Sequence, residues 1–201
     1  MTAAQRFVRL VTDVVVRMPF AWRLFRGTMT RSFDKLAPTW EGRISDERLA
    51  PVRVALGAIA EPPATVLDLG TGTGRVARIV AEAWPQAKVV GVDLSPGMID
   101  EARRLGGNVH YDVADATSLP YADDAFELVT LSNMIPFFDE LARVTAQDGA
   151  VVFSFSAGPE TPIYVPLDRV RAELERRGFT HVASFAEGAG TSLLARKVVR
   201  S

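Results

Sequence analysis

Nine consecutive residues constrain this chain more than any other feature: Val66-Leu67-Asp68-Leu69-Gly70-Thr71-Gly72-Thr73-Gly74. The apolar run at 65–69 reads as a short buried strand, and 75–84 carries the periodicity of a helix. Between them, three glycines at alternate positions let the backbone turn tightly and let a ligand approach the main chain. A helix that begins at such a turn offers unpaired N–H groups, which favours an anionic partner.

Further on, the pattern alternates. Residues 88–92, 109–113, 126–131 and 150–155 read as strands, and 96–105 and 136–146 as helices, which predicts a parallel sheet covered on both faces. The end of the chain breaks this rhythm. After a helix at 167–178, closed by Gly178, two strand-like runs at 180–186 and 192–198 are separated only by 187–191. No helix fits there, so they must pair as a hairpin and the last strand runs antiparallel. The expected fold is α/β: a doubly wound, seven-stranded Rossmann-like sheet, mostly parallel, with an antiparallel C-terminal hairpin strand and an N-terminal helical cap.

The length of 201 residues suits one such domain with a modest extension. We divide it into a basic helical cap or lid at 1–44 and a ligand-binding domain at 45–201. There are no cysteines, which excludes disulfides, thiolate metal sites and cysteine nucleophiles and suits a reducing cytosol. The two histidines, His110 and His181, are isolated in sequence, so no metal site is expected. Each reads as a half-buried strand residue and neither is nominated as a base.

Two acids stand where a ligand would meet them. Asp93 closes the second strand, and a carboxylate there can accept both hydrogens of a ribose diol. Asp115 follows the third strand. In an open parallel sheet the ligand crevice runs along the C-terminal strand ends, so Asp68, Asp93 and Asp115 gather at one edge. A dinucleotide fingerprint requires G-x-G-x-x-G, whereas the third glycine here falls one residue early, and no G-x-x-x-x-G-K-S/T phosphate loop is present.

Asp68-x-Gly70-x-Gly72-x-Gly74, Asp93 and Asp115 together resemble the class I S-adenosylmethionine-dependent methyltransferases, especially their ubiquinone/menaquinone-type small-molecule branch. The resemblance covers about residues 33–199 and includes the terminal hairpin, which nicotinamide-binding domains lack. It implies S-adenosyl-L-methionine as cofactor. It also implies that Asp68 and the turn of Gly70, Thr71, Gly72 and Gly74 hold the methionine portion and that Asp93 binds the ribose. Leu94 and Met98 would sandwich the adenine, with helix packing the alternative role for Met98. Asp115 would accept from the adenine amino group, the Ala116 N–H would meet a ring nitrogen, and Leu131 and Ser132 would approach the methionine ammonium.

Upstream, Phe33-Asp34-Lys35-Leu36-Ala37-Pro38-Thr39-Trp40-Glu41 resembles the Tyr-Asp…Tyr-Asp segment that folds over the cofactor in relatives. Phe33 and Trp40 stand where tyrosines are usual, which preserves an aromatic lid and removes a hydroxyl. After the fourth strand, the stretch from Ser132 through Asn133 to the next helix is shorter than in relatives and lacks histidine. Phe33, Trp40 and Asn133 are assigned to the lid and acceptor side, and no catalytic residue is identified. Methyl transfer requires mainly in-line positioning and exclusion of water, so a general base is optional. An NAD-dependent oxidoreductase and a noncatalytic cofactor-binding protein are the competing readings. The acceptor implied is a small or lipophilic molecule, and the acidic core lacks the basic, aromatic track of a nucleic-acid binder.

Residues 1–33 hold six arginines against one acid, Asp13, a net charge of +5, while the whole chain carries −1. Between residues 5 and 18, Arg6, Arg9, Asp13 and Arg17 form one helical stripe opposite Phe7, Leu10, Val11, Val14 and Met18. Pro19 ends that helix or begins a shorter one containing Trp22, Leu24 and Phe25. Residues 27–44 read as irregular, and Ser45 caps a helix reaching about residue 60. Residues 5–26 suit either a cap over the acceptor pocket or a helix lying in an anionic membrane interface. Asp13 and Arg17 interrupt the one stretch resembling a signal-peptide core, and no apolar run is long enough to span a bilayer, so a cytoplasmic protein, with or without membrane association, is expected.

Overall fold

The seven strands are β1 (Thr65–Leu69), β2 (Lys88–Asp93), β3 (His110–Val113), β4 (Phe126–Ser132), β5 (Thr145–Phe155), β6 (Phe179–Glu187) and β7 (Gly190–Lys197). They form one sheet in the order β3-β2-β1-β4-β5-β7-β6. The first five pair in parallel, and β7 lies antiparallel between β5 and β6. This computed structural model describes residues 1–198. The last three positions of the segment 45–201, with the end of the resemblance at 199, lie outside the described residues.

Alternation along the strands builds two cores. Val66, Val89, Leu128, Val152 and Leu194 face α3 (Asp46–Gly57), α4 (Arg75–Ala83) and α5 (Pro96–Leu105). Leu67, Leu69, Val129, Leu131, Phe153 and Leu193 face the other way. There they meet α6 (Phe138–Val144), α7 (Leu167–Glu175) and α1 (Ala3–Arg17). Coverage on both faces explains why the central strands are nearly continuous apolar runs. Each such large side chain taken out of water contributes about 1.5–3 kcal/mol. Strand order reverses between β2-β1 and β4, so the crevice opens at the C-terminal ends of β1, β2 and β4.

The N-terminal region differs from the expectation in two ways. The stretch read as irregular is mostly helix: α2 runs over Trp22–Trp40, followed by a 3-10 turn at Glu41–Arg43. Gly27, Thr28, Thr30, Ser32 and Pro38 are poor helix formers, which hid it. The hydroxyls of Thr30 and Ser32 bond back to the carbonyls of Arg26 and Thr28, both at 2.8 Å. Tertiary packing through buried Met29 and Ala37 overrides propensity.

The second difference concerns α1: of the expected stripe Val11 is buried, together with Thr12 and Val15, while Val14 is half-buried and Phe7, Leu10 and Met18 are exposed. The run Val14-Val15-Val16 makes more than one face apolar, and the fold uses the face that fits the core. Arg9, placed by periodicity on the solvent stripe, instead donates to the carbonyls of Pro159, Thr161 and Pro162 beyond β5.

Smaller boundary differences follow the backbone. The helix capped by Ser45 ends at Gly57. The fifth strand starts at Thr145, because the segment through Asp148 and Gly149 joins the ladder with a register shift opposite Phe126 and Leu128. The terminal strands approach more closely than read, leaving only Gly188 and Ala189 between them.

Candidate functional site

β1 ends at Leu69 and the chain enters the glycine turn. Gly72 has φ +55°, a left-handed conformation costly to a residue with a side chain, and a Cβ there would stand 3.3 Å from Trp40 Nε1. At Gly74, φ +79° begins α4, and the Tyr111 ring occupies the space a side chain would need. Side chains thus pack closely against all three glycines, Met134 at Gly70, Trp40 at Gly72 and Tyr111 at Gly74.

Asp93, the last residue of β2, joins the turn to the next helix. Its Oδ2 accepts from Gly72 N and its Oδ1 from Ser95 N, both at 2.9 Å. Burial first, and the nearby Asp68 among the other influences, hold its pKa above the ordinary carboxylate range. Asp93 pairs with Val113 in the β2–β3 ladder, so Asp115 emerges at the neighbouring strand end. Asp115 Oδ1 accepts from Thr117 N (3.0 Å), Thr117 Oγ1 (2.8 Å) and Trp22 Nε1 (3.2 Å), and Arg26 lies 3.4 Å from Oδ2. Leu94, Pro96 and Asp115 face Arg26, Gly27, Thr30 and Arg31 of α2 across a cavity of about 430 Å³. Asp34 fastens α2 to α5, its Oδ1 accepting from Ser95 Oγ (2.5 Å) and Gly97 N (3.1 Å).

Other nominated residues have different surroundings. Asp68 is only 1% exposed and turned inward, where it accepts from Thr71 Oγ1 (2.6 Å) and Thr130 Oγ1 (2.7 Å). Burial raises its pKa although both hydroxyls oppose that rise. It shapes the turn rather than facing the crevice. Met98 is also 1% exposed and Ala116 is buried, whereas Leu94 and Ser132 are half-buried. Asn133, at φ +51°, bonds through its amide to Ser156: Oδ1 accepts from N at 2.9 Å and Nδ2 donates to Oγ at 3.1 Å. Phe33 and Trp40 meet edge to face with centroids 5.7 Å apart. His110 begins β3, at the end of the sheet opposite the crevice, and His181 sits at the irregularity of β6.

Sequence reasoning did not assign Trp22, Arg26, Asp34 or Thr130 to this region. Asp34 lay inside the quoted Phe33–Glu41 segment, so its position was visible but its partner was not. Thr130 sits mid-strand, where a threonine carries no signal until Asp68 is known to point at it.

A family model described as a methyltransferase domain matches residues 66–149, from β1 to the start of the apolar part of β5. Malonyl-(acyl-carrier protein) O-methyltransferase of Geobacter sulfurreducens is 34% identical over 196 residues, covering 81% of this chain and 73% of that protein. The chain belongs to the class I S-adenosylmethionine-dependent methyltransferases. The enzyme of the same name from Halorhodospira halophila is 37% identical over 155 residues, covering 68% of this chain; the chain spans half the length of that relative (50%). Among solved structures, an S-adenosylmethionine-dependent methyltransferase from Aquifex aeolicus superposes with a TM-score of 0.67 at 20% identity, covering 81% of this chain and 98% of that one, which shows the shared fold. The candidate site is the crevice bordered by the glycine turn, Asp93 and Asp115.

Proposed function

We propose that the chain transfers a methyl group from S-adenosyl-L-methionine to a small or lipophilic acceptor by direct in-line attack. In this reading residues 1–44 act as a cap over a cofactor-binding domain at 45–201. The observation that carries it is the position of Asp93, bonded at once to the glycine turn and to the start of α5. The donor set suits an adenosyl group: the Asp115 carboxylate beside apolar Leu94 and Pro96 in the pocket, the Asp93 carboxylate at the adjoining strand end, and glycines where the turn leaves no room for side chains. Asp93 takes the ribose hydroxyls with its remaining lone pairs, Asp115 the adenine amino group, and the Ala116 N–H a ring nitrogen. Leu94 flanks the base. The Gly70–Gly74 turn, with Leu131 and Ser132, holds the methionine portion.

When bound, the cofactor supplies an electrophilic methyl group on a sulfonium. The chain's part is to position the acceptor and exclude water, for which Phe33, Trp40 and Asn133 border the crevice. The relatives reported above are named for a malonyl acyl-carrier substrate, and others for demethylmenaquinone. Those names support a small or lipophilic acceptor such as a quinone precursor; a phospholipid headgroup belongs to the same lipophilic class. Asp93→Ala is expected to weaken S-adenosylhomocysteine binding by on the order of 1.5–3 kcal/mol, the worth of a hydrogen bond to a charged group. Calorimetry showing unchanged affinity in a folded variant would remove the assignment.

No helix among the described residues is long and apolar enough to cross a membrane. We assign residues 5–26 instead to contact with an anionic membrane surface from which a lipophilic acceptor is taken. Of the nine exposed large hydrophobic residues among the described residues, five lie here: Phe7, Leu10, Met18, Phe20 and Leu24, the last two 73% and 80% exposed. Arg6, Arg17 and Arg23 are exposed among them. Each arginine near such a surface adds about 1 kcal/mol, an attraction that salt weakens. The full chain should sediment with anionic but not neutral vesicles at low salt, and Phe20→Ser combined with Leu24→Ser should prevent it. Failure of the unsubstituted protein to bind anionic vesicles leaves these helices as a soluble cap.

A further inference from the structure

Glu41 lies just beyond α2, outside the nucleotide-binding sheet, yet it is bonded into the middle of the glycine turn. Its Oε2 accepts from Thr73 Oγ1 at 2.7 Å, and its Oε1 accepts from Arg75 Nη1 at 2.6 Å and Arg78 Nη2 at 3.0 Å. Arg78 closes a ring by donating from Nη1 to the Thr73 carbonyl at 2.7 Å. Thr73, fully buried between Gly72 and Gly74, is thus gripped at both its hydroxyl and its carbonyl. Trp40, adjacent to Glu41 in the chain, lies against Gly72.

We infer that Glu41 is a positioning residue that makes the shape of the cofactor turn depend on the docked cap. Glycines flank Thr73 on both sides, so the turn has little intrinsic preference for one conformation. Something outside it must select the conformation in which Gly72 N meets Asp93. The Glu41–Thr73–Arg78 ring does this with charge-assisted hydrogen bonds, the strong class of such bonds. Burial alone would raise the Glu41 pKa; the bonds from Thr73 and Arg75 and the charge of Arg78 bring it below the usual value, so the carboxylate is ionised and stays in the ring at neutral pH. Other contacts of this cap reach the pocket rim through Asp34 and Asp115. Trp40 packs against Gly72, and Glu41 bonds Thr73 between the glycines. In consequence, Glu41 couples the ordering of the cap to the binding of the cofactor at the turn itself.

The inference rests on the reading of the turn as the cofactor site, and the experiment separates the two. S-adenosylhomocysteine affinity is measured by calorimetry for the full chain and for Asp93→Ala, Glu41→Gln, Thr73→Val, Arg78→Gln and the Glu41→Gln/Arg78→Gln pair. Thermal melts of each are recorded without ligand. Glu41→Gln should lose at least about tenfold in affinity at a temperature where it is fully folded. The double variant should lose no more than the weaker-binding single variant, because both break one ring. A merely structural role would lower the melting temperature and leave affinity in the folded protein unchanged. If Glu41→Gln does not fold, Thr73→Val and Arg78→Gln carry the same test. Normal affinity in the folded variants, with Asp93→Ala impaired, overturns the role of Glu41 alone. Absence of binding by the unsubstituted protein overturns the cofactor reading and this inference with it.

Discussion

Gly72→Val is expected to leave the chain without measurable affinity for S-adenosylhomocysteine, a loss of at least about 100-fold. Two effects combine. The backbone at φ +55° is a region that a β-branched residue adopts only under strain of about 1–3 kcal/mol. The side chain would also start 3.3 Å from Trp40 Nε1, at the point where the turn and the aromatic lid come together. To relieve either, the turn must move, and Gly72 N then leaves Asp93 Oδ2. The strain is local and the residue lies outside the two cores, so the melting temperature should fall far less than affinity does. Calorimetry beside a thermal melt separates the two. A folded variant binding at wild-type strength would show that this turn does not cradle the cofactor.

Thr130→Val should produce the largest stability loss among substitutions at the site, on the order of 1.5–3 kcal/mol at neutral pH. Thr130 donates to Asp68, a carboxylate with almost no access to water, and shares that duty with Thr71. Valine has nearly the same shape but no donor, so one oxygen of a buried carboxyl group is left unsatisfied. The pH dependence identifies the partner. Burial already raises the Asp68 pKa, and the Thr130 bond lowers it by favouring the charged form. Without that bond the folded pKa rises further. Between the two folded values the variant keeps a proton that the wild type has released, so the stability deficit grows as pH rises through that window and levels off above it. Denaturant titrations at a series of pH values rising from the ordinary carboxylate range should therefore give a deficit that grows with pH. A deficit that is constant, or larger in acid, would mean that Thr130 stabilises the fold by packing rather than through Asp68.

Much of this architecture was legible because the relevant signals are local. Glycines at 70, 72 and 74 after an apolar run announce a strand, a turn and a helix whatever surrounds them. The short gap between the last two strands forces a hairpin for want of chain length. Asp93 and Asp115 could be grouped because a parallel sheet brings its C-terminal strand ends together, a matter of topology rather than of detail. The N-terminal region was less legible. α2 contains residues that disfavour helix, and only docking of Met29 and Ala37 makes helix the best state for them. For α1 the apolar surface is wider than the core can use, so periodicity identified a helix but not its buried side.

The sequence by itself therefore determined the sheet, its closing hairpin and the edge at which the candidate site lies, since each follows from backbone stereochemistry, strand spacing and the burial of apolar runs. Tertiary structure decided which side chains act there. Asp68 turned inward to Thr130, Glu41 reached Thr73 from 32 residues away, and Trp22 came to Asp115 across 93 residues. Such pairings depend on where elements distant in the chain come to rest, and a pattern of neighbouring residues contains no measure of that distance.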